Sequence, residues 1–510
     1  MSYVPRAALP ARVLYREDVQ EALVRRDFGR VFALVRRWGG ISFSAIAESC
    51  DVKPERVGKL ARGEGEVTSF DKVLQISDGL RVPGHMLGLL PRPWESEEPA
   101  GSSDSPTFHG AGRPPATADH VESPAPHAWQ SSLLDRALSL SFTPGGSRQP
   151  VDNASALWQT DVHRFTEVRE SSVSADEITP EVLRWLVAPP AVRDLPASTA
   201  IAVAEDDIAA IRRACGLFEA LDHEFGGGHA RAAAVQYLHS EVAPLLYGSY
   251  TAPAQRDLFS ATAHFSYKVG AMAYDAALHG LARRYFLQAL NFAHIAADTA
   301  LAGKALALMS HQANFLGDFR SAVDFARSAK AGTRTKVTPG VYAMYSAMEA
   351  RGLASLGEER QCAAALREME DSFSRRDDEE PAWLDYFDAA EVHDEFAHCY
   401  HDLGHAERAA QHARAAITAT RREYRRSRTF AGLTLASSCL IGARGRDVEQ
   451  ACGLAEAALH EAGSLRSARV HAYVSRFDHG LRPYAETAAV QRFREQVLPE
   501  LRLSAPMHDR

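Results

Sequence analysis

The sequence lacks long apolar runs and closely spaced cysteines. No stretch reaches the roughly 18 apolar residues that a membrane-spanning helix needs, and residues 1–18 have no apolar core of a signal peptide. The six cysteines are scattered over 510 residues without a CxxC pair, which argues against a disulfide framework or a structural zinc site. We therefore expect a cytoplasmic protein with buried, free thiols and no membrane contact.

Catalytic signatures are also missing. The chain has no HExxH motif, no GxSxG in a strand-to-helix setting, no P-loop and no dinucleotide-binding glycine pattern. Gly226, Gly227 and Gly228 precede a helical stretch, but no strand comes before them, so a break between helices is favoured over a phosphate cradle. The sequence predicts a protein that is not an enzyme and uses no cofactor.

Charge is divided unevenly along the chain. Residues 1–90 contain 14 Lys and Arg against 11 Asp and Glu, a net of +3, whereas the whole chain carries −8. The rest of the chain therefore carries −11. A mildly basic head on an acidic body is the distribution expected of a protein in which only the head contacts nucleic-acid phosphates.

The segment SFSAIAESCDVKPERVGKLAR, residues 42–62, predicts two short helices joined by a tight turn. Apolar side chains at helical spacing would pack the two helices together: Ile46, Cys50, Val52, Val57 and Leu60. Ala47 supplies a small side chain where the helices cross. A second helix held in this way can lie across a DNA major groove, so the pattern is typical of a helix-turn-helix DNA-binding module.

Further helices complete a predicted five-helix bundle within residues 1–90. Asp27 is expected to cap one helix, which ends at Gly40, and Ser69 and Pro83 are expected to begin two more. The next stretch, residues 91–127, is rich in Pro, Gly, Ser and acidic residues and has almost nothing apolar to bury. We expect it to be a disordered linker.

Beyond the linker, helical patterns dominate, with a helical region at residues 128–260 leading into repeats at residues 261–500. The repeats appear as columns of mainly small residues. The first column is Gly270, Ser310, Ala350, Ala397 and Cys439, the second is Ala282, Ala322, Cys362, Ala409 and Ala451, and the third is Ala289, Ala329, Met369, Ala416 and Ala458. Small residues at fixed offsets let the helices of a hairpin approach closely.

The repeat spacing of 40 to 47 residues exceeds the tetratricopeptide period of 34. Even so, Leu-Gly turns precede the second column by five residues in the middle units, which favours tetratricopeptide-like hairpins with longer loops between them. The predicted fold class is thus all-α, with a small helix-turn-helix bundle, a disordered linker and a C-terminal tetratricopeptide-like helical solenoid.

Taken together, these features resemble a known family, the actinobacterial regulators that join a Cro/C1-type (XRE) helix-turn-helix domain to a C-terminal tetratricopeptide array. The resemblance lies in the motif pair and in the segments RRDFGRVFALVRRWGG, ARGEGEVTSFDKVLQISDGLRVP, FGGGHARAA and LGDFRSAVDFARSA. It implies a transcriptional regulator that binds double-stranded DNA as a homodimer, and whose repeat domain senses a peptide, small molecule or protein partner.

The chain departs from that family pattern at three positions. Phe43 stands where such domains usually place a Gln that contacts the DNA backbone, and Asp51 replaces the usual turn glycine. Asp can still adopt the left-handed turn. Gly58 offers no side chain on the second motif helix and costs it ~1 kcal/mol relative to Ala. Base recognition would therefore depend on few groups.

Five side chains are predicted to contact DNA from the second motif helix. Arg56 or Lys59 would bind guanine edges, and Glu55 would accept a hydrogen bond from a cytosine amine. Lys53 and Arg62 would hold phosphates. The alternative is that Arg56 and Glu55 form a surface ion pair and that the domain has lost its affinity for DNA.

One stripe of the first helices in the repeats is predicted to line a concave ligand-binding groove. Its members are polar or aromatic: Tyr267, Lys268, Tyr274, His311, Asn314, Arg351, Glu395 and His398. Asn can form hydrogen bonds with a peptide backbone, and Lys or Arg can bind a carboxylate. A peptide or a small polar ligand would therefore fit. The alternative is a merely solvated face.

Two further clusters are interpreted without a special function. His398, His401 and His405 do not have a standard zinc spacing, so no metal site is predicted. The arginines between Arg421 and Arg428 are expected to form a solvated basic face. The competing function for the whole chain is a scaffold, in which the repeats bind another protein and the DNA-binding head is vestigial.

Overall fold

A computed structural model describes most of the chain. The described residues are 9–14, 16–24, 27–65, 67, 70–83, 133–143, 148–188, 199, 201–333, 336–441, 447–463 and 465–504. The chain divides into two compact units, residues 1–120 and 121–510. The predicted linker at residues 91–127 and the helical turn predicted after Pro83 lie outside the described residues.

The described part of the chain is helical apart from one isolated parallel bridge between Ala202 and Ser249. The predicted all-α class is therefore confirmed. Among these helices, none is both long enough and apolar enough to cross a membrane.

The first unit has a core of its own. Its described helices are α1 Ala11–Leu14, α2 Glu17–Val24, α3 Phe28–Gly39, α4 Phe43–Ser49, α5 Pro54–Ala61 and α6 Phe70–Leu80. Val19 and Leu23 of α2 are buried with Val31 and Phe32 of α3. Helices α1 and α2 were not predicted, although the apolar positions of α2 repeat at helical spacing.

Local sequence signals explain the bounds of α3 and the packing of α6. Asp27 Oδ1 accepts a hydrogen bond from Arg30 N at 2.9 Å, and Gly40 ends α3 with a left-handed φ of 67°. A Cβ at Gly79 of α6 would lie 2.2 Å from the carbonyl oxygen of Ser49. Only glycine therefore lets α6 cross the end of α4 this closely.

The second unit begins with helices that cover one side of the later ones. They are α7 Gln149–His163, α8 Phe165–Arg169, α9 Ala175–Val187, α10 Glu205–Phe225, α11 Gly227–Tyr237 and α12 Ala243–Leu246, with a π-helical turn at Leu238–Val242. Gly226 separates α10 from α11 with a φ of 86°. Gly227 N donates to Asp275 Oδ2 at 3.0 Å, so a protein carboxylate already occupies this helix start and the predicted helix break is confirmed.

The following helices pack in consecutive pairs. The pairs are α13 Ala252–Asp275 with α14 His279–Ile295, α15 Thr299–Phe315 with α16 Phe319–Thr333, α17 Pro339–Ser355 with α18 Glu359–Phe373, α19 Ala389–Asp402 with α20 Ala406–Ala419, and α21 Arg425–Ser438 with α22 Val448–Ala462. Two helices follow them, α23 Ala468–Gly480 and α24 Ala488–Ser504. The second and third columns of small residues lie in the second helix of each pair, where they are buried.

Left-handed residues connect the paired helices. Gly317, Gly357 and Gly404 have φ values of 86°, 74° and 79°. The first pair has Ala277 at the corresponding place, with a φ of 61°. The Leu-Gly pairs in the sequence therefore mark helix ends, because glycine adopts this conformation without a Cβ clash.

The region predicted to lead into the repeats shares their core. Trp158 Nε1 of α7 donates to Gln288 Oε1 of α14 at 3.1 Å. Arg231 and Tyr285 both contact Asp161 of α7, with Tyr285 Oη to Asp161 Oδ2 at 2.7 Å. One apolar cluster includes residues from 137 to 399. Helices α7 to α12 therefore share a core with the helix pairs that follow them.

Candidate functional site

The first candidate site is the outer face of α5. Ser42 Oγ caps α4 by accepting from Ala45 N at 3.2 Å, and Asp51 has a φ of 47° in the turn before α5. Asp therefore adopts the left-handed turn predicted from the sequence. Pro54 occupies the first turn of α5, where its missing N–H costs no helical hydrogen bond.

Helix α5 has one buried and one exposed face. Val57 and Leu60 join the core of the first unit. The residues predicted to contact DNA are all exposed: Lys53, Glu55, Arg56, Lys59 and Arg62. The helix thus presents a polar, mainly cationic surface outward while its apolar side fixes its orientation.

Charge pairing differs along this face. Arg62 Nε lies 2.9 Å from Glu64 Oε1. Arg56 and Glu55, by contrast, form no ion pair with each other. A Cβ at Gly58 would meet only Arg62 Nη1, at 3.5 Å. The face therefore leaves Arg56 available for a partner, while Arg62 is held by a neighbouring carboxylate.

The second candidate site is a cavity of about 210 Å³ inside the second unit. The first helices of four consecutive pairs line it with residues at helical spacing: Tyr267, Ala271 and Tyr274 of α13, Lys304, Leu308 and His311 of α15, Met344, Met348 and Arg351 of α17, and Glu391, Glu395 and His398 of α19. Positions separated by four and then three residues share one face of a helix, so each helix turns the same face inward.

Seven of the eight residues predicted to line a groove border this cavity. They are Tyr267, Lys268, Tyr274, His311, Arg351, Glu395 and His398. Asn314 lines a second cavity of about 660 Å³, which shares His311, Arg351 and His398 with the first. The structure therefore brings the predicted stripe together, while its binding of a ligand stays a prediction.

Helix α23 covers part of the predicted groove. Arg469 and Tyr473 of α23 line the cavity opposite the pairs. The Tyr473 ring lies 4.6 Å from that of Phe430 and 5.9 Å from that of His398, measured between centroids. The sequence reasoning missed this lid because α23 follows the last repeat and carries no repeat signature.

A buried ion network fixes α23 against the start of the unit. Arg426 of α21 contacts Asp222 of α10 at 2.8 Å and Asp275 of α13 at 3.1 Å. Ser467, the N-cap of α23, donates to the other oxygen of Asp275 at 2.8 Å. The expectation of a solvated basic face was therefore wrong for Arg426, because this arginine joins α21 to α10 and α13.

Lys304 occupies one end of the cavity among aromatic rings. Its ammonium lies 4.1 Å from the ring centroid of Trp383, 4.5 Å from Tyr267 and 5.8 Å from Tyr386. Within the described chain Lys304 forms no ion pair, and burial lowers the pKa of its ammonium well below the usual range. The ring faces stabilise the charged form in part.

Three carboxylates occupy the inner face of α19. Burial raises the pKa of Glu391 and of Glu395, and raises that of Asp394 to about 7. The carboxylates also repel one another, whereas Arg351 opposes the shift with its Nε 3.5 Å from Glu395 Oε2. This side of the cavity therefore favours a positively charged group.

Two histidines separate the two cavities. Tyr274 Oη lies 3.0 Å from His311 Nδ1, and His398 Nε2 lies 3.4 Å from Thr434 Oγ1. Burial lowers the pKa of both imidazoles well below the usual range, so both rings are neutral at pH 7. Neutral rings can donate from one nitrogen and accept at the other.

Within the described residues, no group of three or more His, Cys, Asp or Glu side chains has an arrangement that could hold a metal ion. His401 instead contacts Asp402 at 3.1 Å, and His405 contacts Glu359 at 3.0 Å. His401 and His405 are thus engaged with separate carboxylates.

Comparisons with known proteins do not identify the chain. No protein-family model matches it, and neither a curated protein nor a solved structure is significantly similar to it. Its function therefore has to be argued from the two candidate sites.

Proposed function

We propose that the protein is a DNA-binding transcriptional regulator whose second unit senses a small ligand. The first unit is assigned as a Cro/C1-type (XRE) helix-turn-helix domain, with α4 and α5 as the motif. The paired helices are assigned as a tetratricopeptide-like solenoid that forms a homodimer. The observation that carries the proposal is α5, which buries its apolar side and, with the residues that cap its two ends, presents five charged side chains outward.

The exposed side chains of α5 divide into two roles. Arg56 and Lys59 bind base edges in the major groove, and Lys53 and Arg62 bind phosphates. Phe43 has no amide with which to replace the Gln usual at its position, and its ring centroid instead lies 4.5 Å from the Arg36 guanidinium. Specific recognition in this proposal therefore depends mainly on Arg56 and Lys59.

Replacing Arg56 and Lys59 by Ala tests the DNA-binding role. Each good contact to a base edge contributes ~1–3 kcal/mol of discrimination, so the double variant should bind a duplex selected by the wild-type protein at least ~10-fold more weakly. The measurement is a gel-shift titration on duplexes selected from a random pool and on the promoter beside the protein's own gene, followed by footprinting.

A matched control separates base recognition from general charge. Arg30→Ala with Arg37→Ala removes two exposed positive charges from α3 and should leave sequence preference intact. Equal affinity of the Arg56 and Lys59 double variant and the wild-type chain would contradict the assignment. A chain that protects no DNA yet retains a stable protein partner in pull-down would support the scaffold function instead.

The sensing role is supported by the cavity in the second unit. Its wall combines aromatic rings, buried charges and neutral histidines, the mixture found in sites for small polar ligands. A ligand regulates DNA binding only if it has different affinities for two shapes of the protein. In a dimer, such shapes would differ in whether two heads match half-sites one DNA turn apart, ~34 Å. The mass of the chain in solution, with and without selected DNA, checks dimer formation.

A further inference from the structure

Four charged residues of the cavity have polar atoms without a hydrogen-bond partner among the described residues. The atoms are Nη1 of Arg351, Nε of Arg469, Oδ1 of Asp394 and Oε2 of Glu395. Buried polar atoms are ordinarily paired, and an unpaired one costs ~1–3 kcal/mol. Arg351 and Glu395 are themselves only 6% and 3% exposed. Glu395 Oε2 also lies 3.5 Å from Arg351 Nε, an ion pair without hydrogen-bond geometry. The residues that border the cavity thus retain hydrogen-bonding capacity on two guanidinium groups and two carboxylates.

The acceptors suit a positively charged group. Asp394 and Glu391 form no ion pair with a lysine or arginine in the described chain, and the nearest partner of Asp394 is the neutral His398, at 3.5 Å. Glu391 and Asp394 both border the cavity and keep part of their surface accessible. An ammonium group placed against Asp394 and Glu395 would offset the cost of their burial.

The donors suit a carboxylate. The Arg469 guanidinium lies between two rings, 4.6 Å from the centroid of Tyr274 and 4.7 Å from that of Phe430. It has no carboxylate partner within the described residues. Arg351 Nε lies 3.5 Å from Glu395 Oε2, and the charges of Arg351 and Arg469 both act to lower the pKa of Asp394. Guanidinium groups bind carboxylates with good geometry.

The remaining wall and the size of the cavity limit the ligand. Leu308, Met344 and Met348 provide an apolar, adaptable surface. The cavity volume of about 210 Å³ lies below the ~300–1,000 Å³ typical of pockets for drug-sized ligands. The cavity therefore suits a small molecule.

We propose that the cavity binds a free α-amino acid with an apolar or aromatic side chain. Its ammonium group lies against Asp394 and Glu395, its carboxylate on Arg351 and Arg469, and its side chain against the methionines of α17. A zwitterion supplies an anion to the guanidinium groups and a cation to the carboxylates at once, whereas a simple amine or a simple acid supplies only one of the two. The free amino acid would be the ligand that the proposed regulator senses. In that respect the inference rests on the proposed function.

The first test compares matched ligands on the full-length chain by isothermal titration calorimetry. The probes are L-phenylalanine, L-leucine and L-methionine, together with N-acetyl-L-phenylalanine and L-phenylalanine amide. At least one free amino acid should bind, and the two derivatives of L-phenylalanine should bind at least tenfold more weakly than the parent, since each loses one charged group. The proposal is overturned if no free amino acid binds, or if a derivative binds as tightly as its parent.

The second test changes the protein with an isosteric substitution. Asp394→Asn keeps the shape of the side chain but not its charge, and should weaken binding of the amino acid at least tenfold. Glu370→Gln, on the exposed surface of α18, is the matched control and should change affinity less than twofold. Circular dichroism of both variants checks that the fold is retained, and unchanged affinity of a folded Asp394→Asn variant overturns the proposal.

The outcomes separate the ligand class from the proposed function. Amino-acid binding by a chain that binds no DNA would retain the ligand class and remove the regulator. Specific DNA binding by a chain that binds none of the amino acids would retain the regulator and remove the ligand class. A tightly binding amine or acid that lacks the second charged group would contradict the zwitterion directly.

Discussion

At the scale of the residue, the carboxylates of α19 determine the electrostatics of the cavity. Asp394 is faced by charged or titratable groups from three elements: Glu391, Glu395 and His398 of α19, Arg351 of α17, and Arg469 of α23. Burial outweighs the two guanidinium groups, so the pKa of Asp394 rises to about 7. The carboxyl group is therefore protonated in the folded protein at a pH where it is ionised in the unfolded chain.

Asp394 should make the stability of the second unit depend on pH. Its raised pKa stabilises the folded state at low pH, and this contribution is lost as the pH rises from about 4 through about 7. Asp394→Asn removes the titration, so the variant should gain stability relative to wild type between pH 5 and pH 8. The gain is at most ~4 kcal/mol, because one pKa unit corresponds to ~1.4 kcal/mol.

Thermal unfolding of the wild-type protein and of the Asp394→Asn variant, at pH 5 and at pH 8, measures this effect. The exposed Glu370→Gln variant serves as a control and should stay within ~0.5 kcal/mol of wild type at both pH values. A constant difference between Asp394→Asn and wild type from pH 5 to pH 8 would contradict the raised pKa.

The sequence predicted the cavity residues that obey the repeat and missed those that do not. Tyr274, Arg351 and His398 could be predicted because one helical face recurs at fixed offsets from small residues. Lys304 lies on the same face, yet an apolar environment for a lysine cannot be inferred without the rings that surround it. Arg469 comes from outside the repeats, so no periodicity points to it.

At the scale of the element, the turn between α13 and α14 contains a strained residue. Ala277 has a φ of 61°, whereas the later Leu-Gly turns have glycine at φ 74° to 86°. The left-handed conformation costs an L-residue ~1–2 kcal/mol. The first turn therefore retains the geometry of the others without the residue that best suits it.

Ala277→Gly should stabilise the second unit. Relief of the left-handed strain exceeds the extra entropy that glycine loses on folding, ~0.5–1 kcal/mol, so we expect a net gain of ~0.5–1 kcal/mol in the free energy of unfolding. Ala276→Gly is the matched control, because Ala276 has an ordinary φ of −87° and should lose stability instead. Urea unfolding measures both, and equal losses in the two variants would contradict the strain.

Elements were predicted well where their ends carry a chemical signal. Asp27, Ser42 and Pro54 mark helix starts, and glycines mark the turns. Helix α2 has no such marker at its start, and its apolar positions extend over only eight residues. Its burial depends on α3, which is tertiary information that a local pattern does not contain.

At the scale of the whole molecule, the two units have separate cores. Leu80 is fully buried in the first unit and Leu290 in the second. The boundary between the units, near residue 120, falls within the stretch predicted as a linker from composition alone. The division of the second unit at residue 260 is less distinct, since α7 to α12 share a core with the pairs that follow.

Leu80→Ala and Leu290→Ala should act on different unfolding transitions. Each substitution leaves a cavity in one core and should cost ~2–5 kcal/mol there. Scanning calorimetry of the full chain should show two transitions, with each variant lowering only one of them. A joint shift of both transitions by either variant would show that the units unfold together.

The position of α23 in the chain has a consequence for biosynthesis. Domains fold as they leave the ribosome, beginning at the N-terminal side. All five helix pairs emerge before Ala468, so the growing chain presents an uncovered face until Arg469 and Tyr473 arrive. The cavity is thus the last feature to be completed, and a chain that stops before α23 would have the walls formed by the helix pairs without Arg469 and Tyr473.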